Sequence, residues 1–223
     1  MRRTTRNQPT KLRQHQTAQQ PTKSGRRRHH ARPNAAYRQR GSGGHTNAEA
    51  FNAPEVWHEP TARAEICIVE EPAGKGCFHP VTADEVTERI GLLPERFLQD
   101  LDVIQFSRMT RKRALFPCYG MQWGTTVYLY PIEESLEETY IKPPKPQLVI
   151  DTKMYGGKWT QEGKIRRLSW TRKTIKDFYL NNILIHEIGH INDQRNTSYE
   201  TRERYANWFA IEYGYRVSRG LRK

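Results

Sequence analysis

The stretch that most constrains this chain is the apolar run enclosing His186-Glu187-Ile188-Gly189-His190. Leu180, Ile183, Leu184, Ile188 and Ile191 recur at helical spacing, which predicts a helix from about Thr174 to Asp193 with its apolar stripe packed into the body of the protein. Two histidines four residues apart on such a helix lie on one face, one turn above each other, so both imidazoles can reach a single metal ion. Glu187 stands beside them, where a carboxylate can take a proton from water activated at that ion. The alternative is a buried helix whose histidines are merely hydrogen-bonded. Burying two histidines and a glutamate at adjoining positions is costly without a compensating partner, and a metal supplies one.

A catalytic zinc needs a third protein ligand and an open fourth position. No histidine follows His190, which removes every arrangement whose third ligand is a downstream His. The longer pattern H-E-x-x-H-x-x-G-x-x-H also fails, because Asp193 stands where Gly is required and Asn196 where His is required. The downstream carboxylates are then Asp193, Glu200, Glu203 and Glu212. Asp193 continues the same helix, and one helix wraps three ligands poorly around a tetrahedral ion. Thr197-Ser198-Tyr199-Glu200 reads as a capping box that starts a final helix, which gives Glu200 a structural role. Glu203 is the leading candidate. Ala206, Asn207 and Ala210 share its face, where small residues let two helices approach closely, and Asn207 can orient a ligand by hydrogen bonding. Without the upstream motif, Glu203 between Arg202 and Arg204 would read as a solvated helix acid.

Charge divides the chain. Of 223 residues, 37 are Lys or Arg and 24 are Asp or Glu, yet residues 1–50 hold twelve of the basic side chains and a single acid, Glu49. The leader therefore carries +11 and residues 51–223 only +2. Leu12 is the leader's only large aliphatic residue beyond Met1, so it cannot bury enough apolar surface to offset its ordering entropy and is expected to be a disordered basic tail. Arg26, Arg27 and Arg28 can neutralise phosphates and give salt-sensitive, sequence-independent nucleic-acid affinity, or they belong to a solvated tail. No amphipathic apolar face marks a transit peptide. Cys67, Cys77 and Cys118 form no C-x-x-C pair and leave an odd thiol under any disulfide scheme. With no apolar stretch near 18 residues and no signal-peptide core, a soluble cytoplasmic protein without a membrane partner is expected.

Between leader and motif, order is expected from about Phe51 to Trp57 onward. Glu65–Glu70 reads as a short strand, Thr82-Ala83-Asp84-Glu85 as a capping box opening a helix closed at Gly91, and Pro94–Leu101 as a second short helix. Val103–Arg108 looks extended; Gly124–Pro131 and Gln147–Thr152 are rich in β-formers and read as strands. The loop between those two carries Glu133, Glu134, Glu137 and Glu138, then a stiff connector, Lys142-Pro143-Pro144-Lys145-Pro146. Lys164–Trp170 is a further strand. Strands and short helices first, then two long helices, make residues 51–223 one α+β domain, a small antiparallel or mixed sheet packed on the motif helix and a C-terminal helix.

His186-Glu187-Ile188-Gly189-His190 followed by Glu203-Arg204-Tyr205-Ala206-Asn207-Trp208-Phe209-Ala210 resembles the ImmA/IrrE metallopeptidases, gluzincin-type enzymes with H-E-[LI]-G-H and a downstream E-x-x-A-N-x-F-A helix. The likeness covers about forty residues in two blocks. It implies a zincin-like fold, His186, His190 and Glu203 as zinc ligands and Glu187 as catalytic base. It also implies a cytosolic protease whose protein substrate is a helix-turn-helix transcriptional repressor. The family's apolar continuation ending Leu-Met-Pro is replaced here by Ile211-Glu212-Tyr213-Gly214-Tyr215, and the basic leader is not part of the family pattern.

The expected activity is Zn2+-dependent peptide hydrolysis. Tyr179, Tyr199 and Tyr205 are candidate oxyanion donors, and a sheet edge such as Gly124–Pro131 can hold substrate as an added strand. Two competing classes are a non-catalytic zinc-fold regulatory or nucleic-acid-binding protein acting through its tail, and a structural protein that binds a partner through Pro143–Pro146.

Overall fold

A computed structural model of the chain describes residues 53–60, 65–115 and 117–221, together with the backbone of 34–35. Apart from those two residues, the leader expected to be disordered, with Arg26, Arg27 and Arg28, lies outside the described residues.

The architecture is α+β with small sheets. Among the described residues the strands are β1 (Asn34–Ala35), β2 (Cys67–Glu70), β3 (Cys77–Phe78), β4 (Val103–Phe106), β5 (Gly120–Trp123), β6 (Thr126–Leu129), β7 (Ile132–Glu133), β8 (Glu137–Tyr140), β9 (Lys158–Glu162) and β10 (Ile165–Ser169). A five-stranded mixed sheet has the order β1-β5-β6-β4-β2. In it β2, β4 and β6 run parallel, with Ile68 beside Ile104 and Ile104 beside Val127, while β5 folds back antiparallel on β6. β4 and β6 are buried along their whole length, as central strands with both faces covered must be. A three-stranded antiparallel sheet (β8-β10-β9) and the short pair β3-β7 complete the β structure.

The β5–β6 hairpin sets the geometry of the site. Trp123 and Thr126 flank a two-residue turn, with Gly124 at φ +58°, a left-handed value that favours glycine. In an antiparallel ladder pairs alternate, so Met121 shares the hydrogen-bonded side with Trp123, while Gly120 and Gln122 direct their backbone N–H and C=O groups to the other edge. On that edge lies β1, antiparallel, with Asn34 opposite Gln122 and Ala35 opposite Met121.

The helices are α1 (Ala83–Gly91), α2 (Arg111–Leu115), α3 (Pro146–Met154), α4 (Arg172–Phe178), α5 (Leu184–Asn192), α6 (Tyr199–Phe209) and α7 (Arg216–Ser218). The Thr82–Glu85 capping box forms as expected, at 3.3 Å and 3.0 Å. A π-helical turn, Tyr179–Ile183, joins α4 to α5 without a break, and a second, Ala210–Tyr215, joins α6 to α7. Thr171 caps α4, so the run carrying the motif spans Arg172 to Asn192.

Four expectations are corrected. Gln147–Thr152 is not a strand but the body of α3: Pro146 occupies its first turn, and the buried residues Leu148, Asp151 and Thr152 have helical spacing. The four glutamates are not in one loop. Glu133 ends β7 and Glu137–Glu138 open β8, where the half-buried Glu138 carboxylate accepts from Tyr119 (2.5 Å), Tyr140 (2.8 Å) and Trp170 Nε1 (3.1 Å). Pro94–Leu101 holds only a 3-10 turn, Glu95–Phe97. The last helix is capped one residue later than read: Ser198 Oγ accepts from Thr201 N–H, which leaves Glu200 outside any capping box.

The main core joins Ile104, Phe106, Val127 and Leu129 of the sheet to Ile175, Phe178, Leu184, Ile185, Ile188 and Phe209 of the helices. Each such side chain contributes about 1.5–3 kcal/mol on burial, so the motif helix is held by its apolar face rather than by its polar residues. No described helix is long and apolar enough to cross a membrane.

Candidate metal centre

Two helices and one strand build the site. α5 carries His186, Glu187 and His190, α6 carries Glu203 and Asn207, and β5 backs Glu187. Two glycines permit these approaches. A Cβ on Gly189 would stand 3.0 Å from Phe209 Cβ and 3.1 Å from Ala206 Cα, so α5 and α6 touch nearly backbone to backbone. A Cβ on Gly120 would stand 2.6 Å from Ile183 Cγ2, 3.0 Å from Glu187 Cγ and 3.1 Å from its Oε1, so only glycine lets β5 lie against the motif helix there.

The sequence-predicted ligands converge. His186 Nε2 and His190 Nε2 are 3.0 Å apart, His190 Nε2 is 3.4 Å from Glu203 Oε1, and His186 Nε2 is 3.8 Å from Glu203 Oε2. Ligand atoms about 2.0–2.1 Å from a tetrahedral ion stand roughly 3.4 Å from each other, so these spacings fit one divalent cation. Among the described residues this is the group of His, Cys, Asp and Glu side chains that could hold a metal ion. Glu203 Oε1 and both oxygens of the fully buried Glu187 have no hydrogen-bond partner. Buried carboxylate oxygens left this way are costly, and a cation with its water shell would satisfy them.

The protein groups of the site by themselves favour their uncharged forms. Burial, then the neighbouring His190, drives His186 down to about 3, against opposing pulls from Glu203 and a hydrogen bond with Asn207. Burial and the Arg202 guanidinium bring His190 to about 3. Both rings are therefore neutral, the form that ligates. Burial raises the Glu203 carboxyl, opposed by His186, Lys145 and Arg202. Burial and the nearby Glu203 hold the Glu187 carboxyl well above the usual carboxylate range; the Gln122 N–H at the β5 edge pulls it down but falls short of hydrogen-bond geometry. A bound cation reverses this balance and favours the ionised carboxylates.

Other sequence candidates fall elsewhere. Asp193 closes a turn, accepting from Arg195 N–H (3.4 Å), Asn196 N–H (3.1 Å) and Asn196 Nδ2 (2.9 Å). Glu212 pairs with Arg216 on the next helical turn at 3.0 Å, and Glu200 is exposed. Of the three tyrosines, Tyr179 is fully buried and donates to the Tyr130 carbonyl at 2.7 Å, and Tyr205 packs on Trp208 and Phe209. Tyr199 lies one turn before Glu203 on the same face, 40% exposed, with Lys145 Nζ 5.9 Å from its ring centre. The strand expected to offer an edge, Gly124–Pro131, forms as Thr126–Leu129 in the interior of its sheet; β5 and β6 both lie against the motif helix, and β5 is the nearer of the two to the sheet edge.

Sequence reasoning missed Gly120, the two π turns and the burial of Arg202. The π turns face each other, Gly214 of one so close to Asn181 of the other that a Cβ would sit 1.9 Å from the Asn181 carbonyl oxygen. Buried Arg89 bridges them, donating to Asn181 Oδ1 at 2.6 Å and to the Tyr213 carbonyl at 2.5 Å. Gly214 was the available signal, an isolated glycine inside a helical pattern. No family model, curated protein or solved structure matches this chain.

Proposed function

We propose that the protein is a zincin-like, Zn2+-dependent endopeptidase that hydrolyses peptide bonds of a protein substrate. The observation that carries this reading is the convergence of His186, His190 and Glu203 on one point beside the buried, partnerless Glu187. A purely structural zinc site closes its coordination with four protein ligands, whereas three ligands leave a position for water, with a carboxylate next to it. The likeness of the two sequence blocks to the ImmA/IrrE metallopeptidases supports the same assignment and a helix-turn-helix repressor as the class of substrate. Three free cysteines, Cys67, Cys77 and Cys118, accord with action in the cytosol.

The chemistry that Zn2+ supplies when bound is acidification of water and polarisation of the scissile carbonyl. His186 and His190 hold it as neutral imidazoles and Glu203 as a carboxylate, with Asn207 orienting His186. Glu187 accepts the proton of the attacking water and delivers it to the leaving amine. The outward edge of β5, where Asn34–Ala35 pairs with Met121 and Gln122, is a ready place for an extended peptide to add as an antiparallel strand.

Glu187→Gln keeps the shape of the site and removes the base. Zinc content should stay at the wild-type level while cleavage of a randomised quenched-fluorescent peptide library falls by about 100-fold or more. Undiminished cleavage in that variant would exclude the mechanism and favour a zinc scaffold without turnover.

A further inference from the structure

Arg202 precedes the third ligand and is almost entirely inside the protein, 8% exposed. Its Nη2 donates to the main-chain carbonyl of His190 at 3.1 Å and its Nη1 to that of Asp193, also at 3.1 Å. Those carbonyls end the motif helix: Asp193 is its C-terminal cap, where the backbone turns away at ψ 86°. The guanidinium is thus plugged into the negative pole of the helix that carries both histidines.

Stability alone explains this arrangement poorly. Among the described residues no carboxylate lies within ion-pair distance of Arg202, and its Nε is buried without a hydrogen-bond partner. The helix pole offsets part of the cost of burying this cation, yet an apolar side chain of similar volume is often as stable as a buried charge or more so. What the contact does supply is registration. Successive residues on a helix point about 100° apart, so a side chain anchored to the end of α5 fixes the rotation of α6 at the turn where Glu203 projects. Gly189 against Ala206 sets how closely the helices approach. Arg202 sets how far α6 is turned and how deep it sits.

We infer that Arg202 is a positioning residue of the metal centre, a brace from the backbone of His190 to the turn bearing Glu203 that holds the three ligands at metal-binding spacing. The inference rests on the metal-site assignment above and adds a residue that ligates nothing. Ligand sets must be held to within about 0.5 Å of their working geometry, and removing an outer support typically weakens metal binding by about 10–100-fold.

The test uses full-length protein: zinc affinity by competition with a chromogenic chelator, and the visible spectrum of the cobalt(II)-loaded protein, for wild type, Arg202→Met, Arg202→Gln and the core control Leu168→Val. Arg202→Met should lose about 10–100-fold in zinc affinity and shift the cobalt bands. Arg202→Gln keeps a donor for one carbonyl and should lose less; it carries the same test if the methionine variant fails to fold. Leu168→Val should lower the melting temperature and move neither readout. Wild-type affinity and spectrum in a folded Arg202→Met or Arg202→Gln protein would overturn the brace while leaving the metal site intact. A wild-type protein that binds neither zinc nor cobalt would overturn the metal site itself, and the brace with it.

Discussion

The Cα of Ala206 lies 3.1 Å from the place a Cβ on Gly189 would occupy, and Phe209 Cβ lies 3.0 Å from it, so the helix holding the two histidines and the helix holding Glu203 meet with no room for a side chain on Gly189. Both residues lie within three positions of a candidate ligand: Gly189 precedes His190, and Ala206 follows Glu203 by three. The contact fixes how far the carboxylate stands from the imidazoles.

Gly189→Ala tests that contact. Replacing a helical glycine by alanine gains about 1 kcal/mol of propensity, while overpacking costs about 1–3 kcal/mol, so the net loss of stability should not exceed about 2 kcal/mol. Zinc affinity should suffer more, because the added methyl group pushes Glu203 away from the ring nitrogens. Denaturant titration beside a chelator competition separates the two effects.

Asp151 gives a pH prediction remote from the metal. Burial pushes its carboxyl up to about 6 from an ordinary 3.8, despite the hydrogen bond it accepts from Gln147 at 2.8 Å. Between those values the unfolded chain has released a proton that the folded chain still holds, so this residue's contribution to stability falls as pH rises from about 4 to about 6 and stays low above it. Asp151→Asn keeps the oxygen that Gln147 reaches and cannot ionise. It should exceed wild type at pH 7 by up to about 3 kcal/mol and converge with it below pH 4, measured by denaturation at the two pH values.

The edge of β5 gives a third. Asn34–Ala35 pairs with Gln122 and Met121 on the edge proposed for substrate, so under that proposal it would compete with an added strand. Proline cannot donate to a ladder, and Asn34→Pro with Ala35→Pro should clear the edge. Cleavage of the peptide library should then rise several-fold, with zinc content unchanged. A cleavage rate equal to wild type would show that the edge is not limiting. A loss of activity would favour a leader that helps to bind the substrate.

Much of the centre was legible because it rests on short-range periodicity. The i, i+4 spacing of His186 and His190, and the shared face of Glu203 and Asn207, follow from 3.6 residues per turn and survive any tertiary context. The α+β class and the Thr82 cap were local in the same way. Gln147–Thr152 was misread because a short apolar run suits a strand or a helix, and the deciding residues lay partly outside it, at Pro146 and in the packing of Leu148 and Thr152. Glu200 was set aside for a reason that proved wrong, since the cap is Ser198; the geometry excludes it instead, because it is not among the converging ligands. Gly120 and Arg202 were invisible because each meets a different element of the fold, Gly120 the distant motif helix and Arg202 the end of the helix before its own, and one sequence does not report which backbone approaches which.

The central claim is that His186, His190 and Glu203 hold one zinc ion, and metal analysis of the purified full-length protein tests it most directly. About one zinc per chain is expected for wild type, with most of it lost in Glu203→Ala and retained in Glu200→Ala. A wild-type protein free of zinc, or a Glu203→Ala protein that keeps it, would contradict the account.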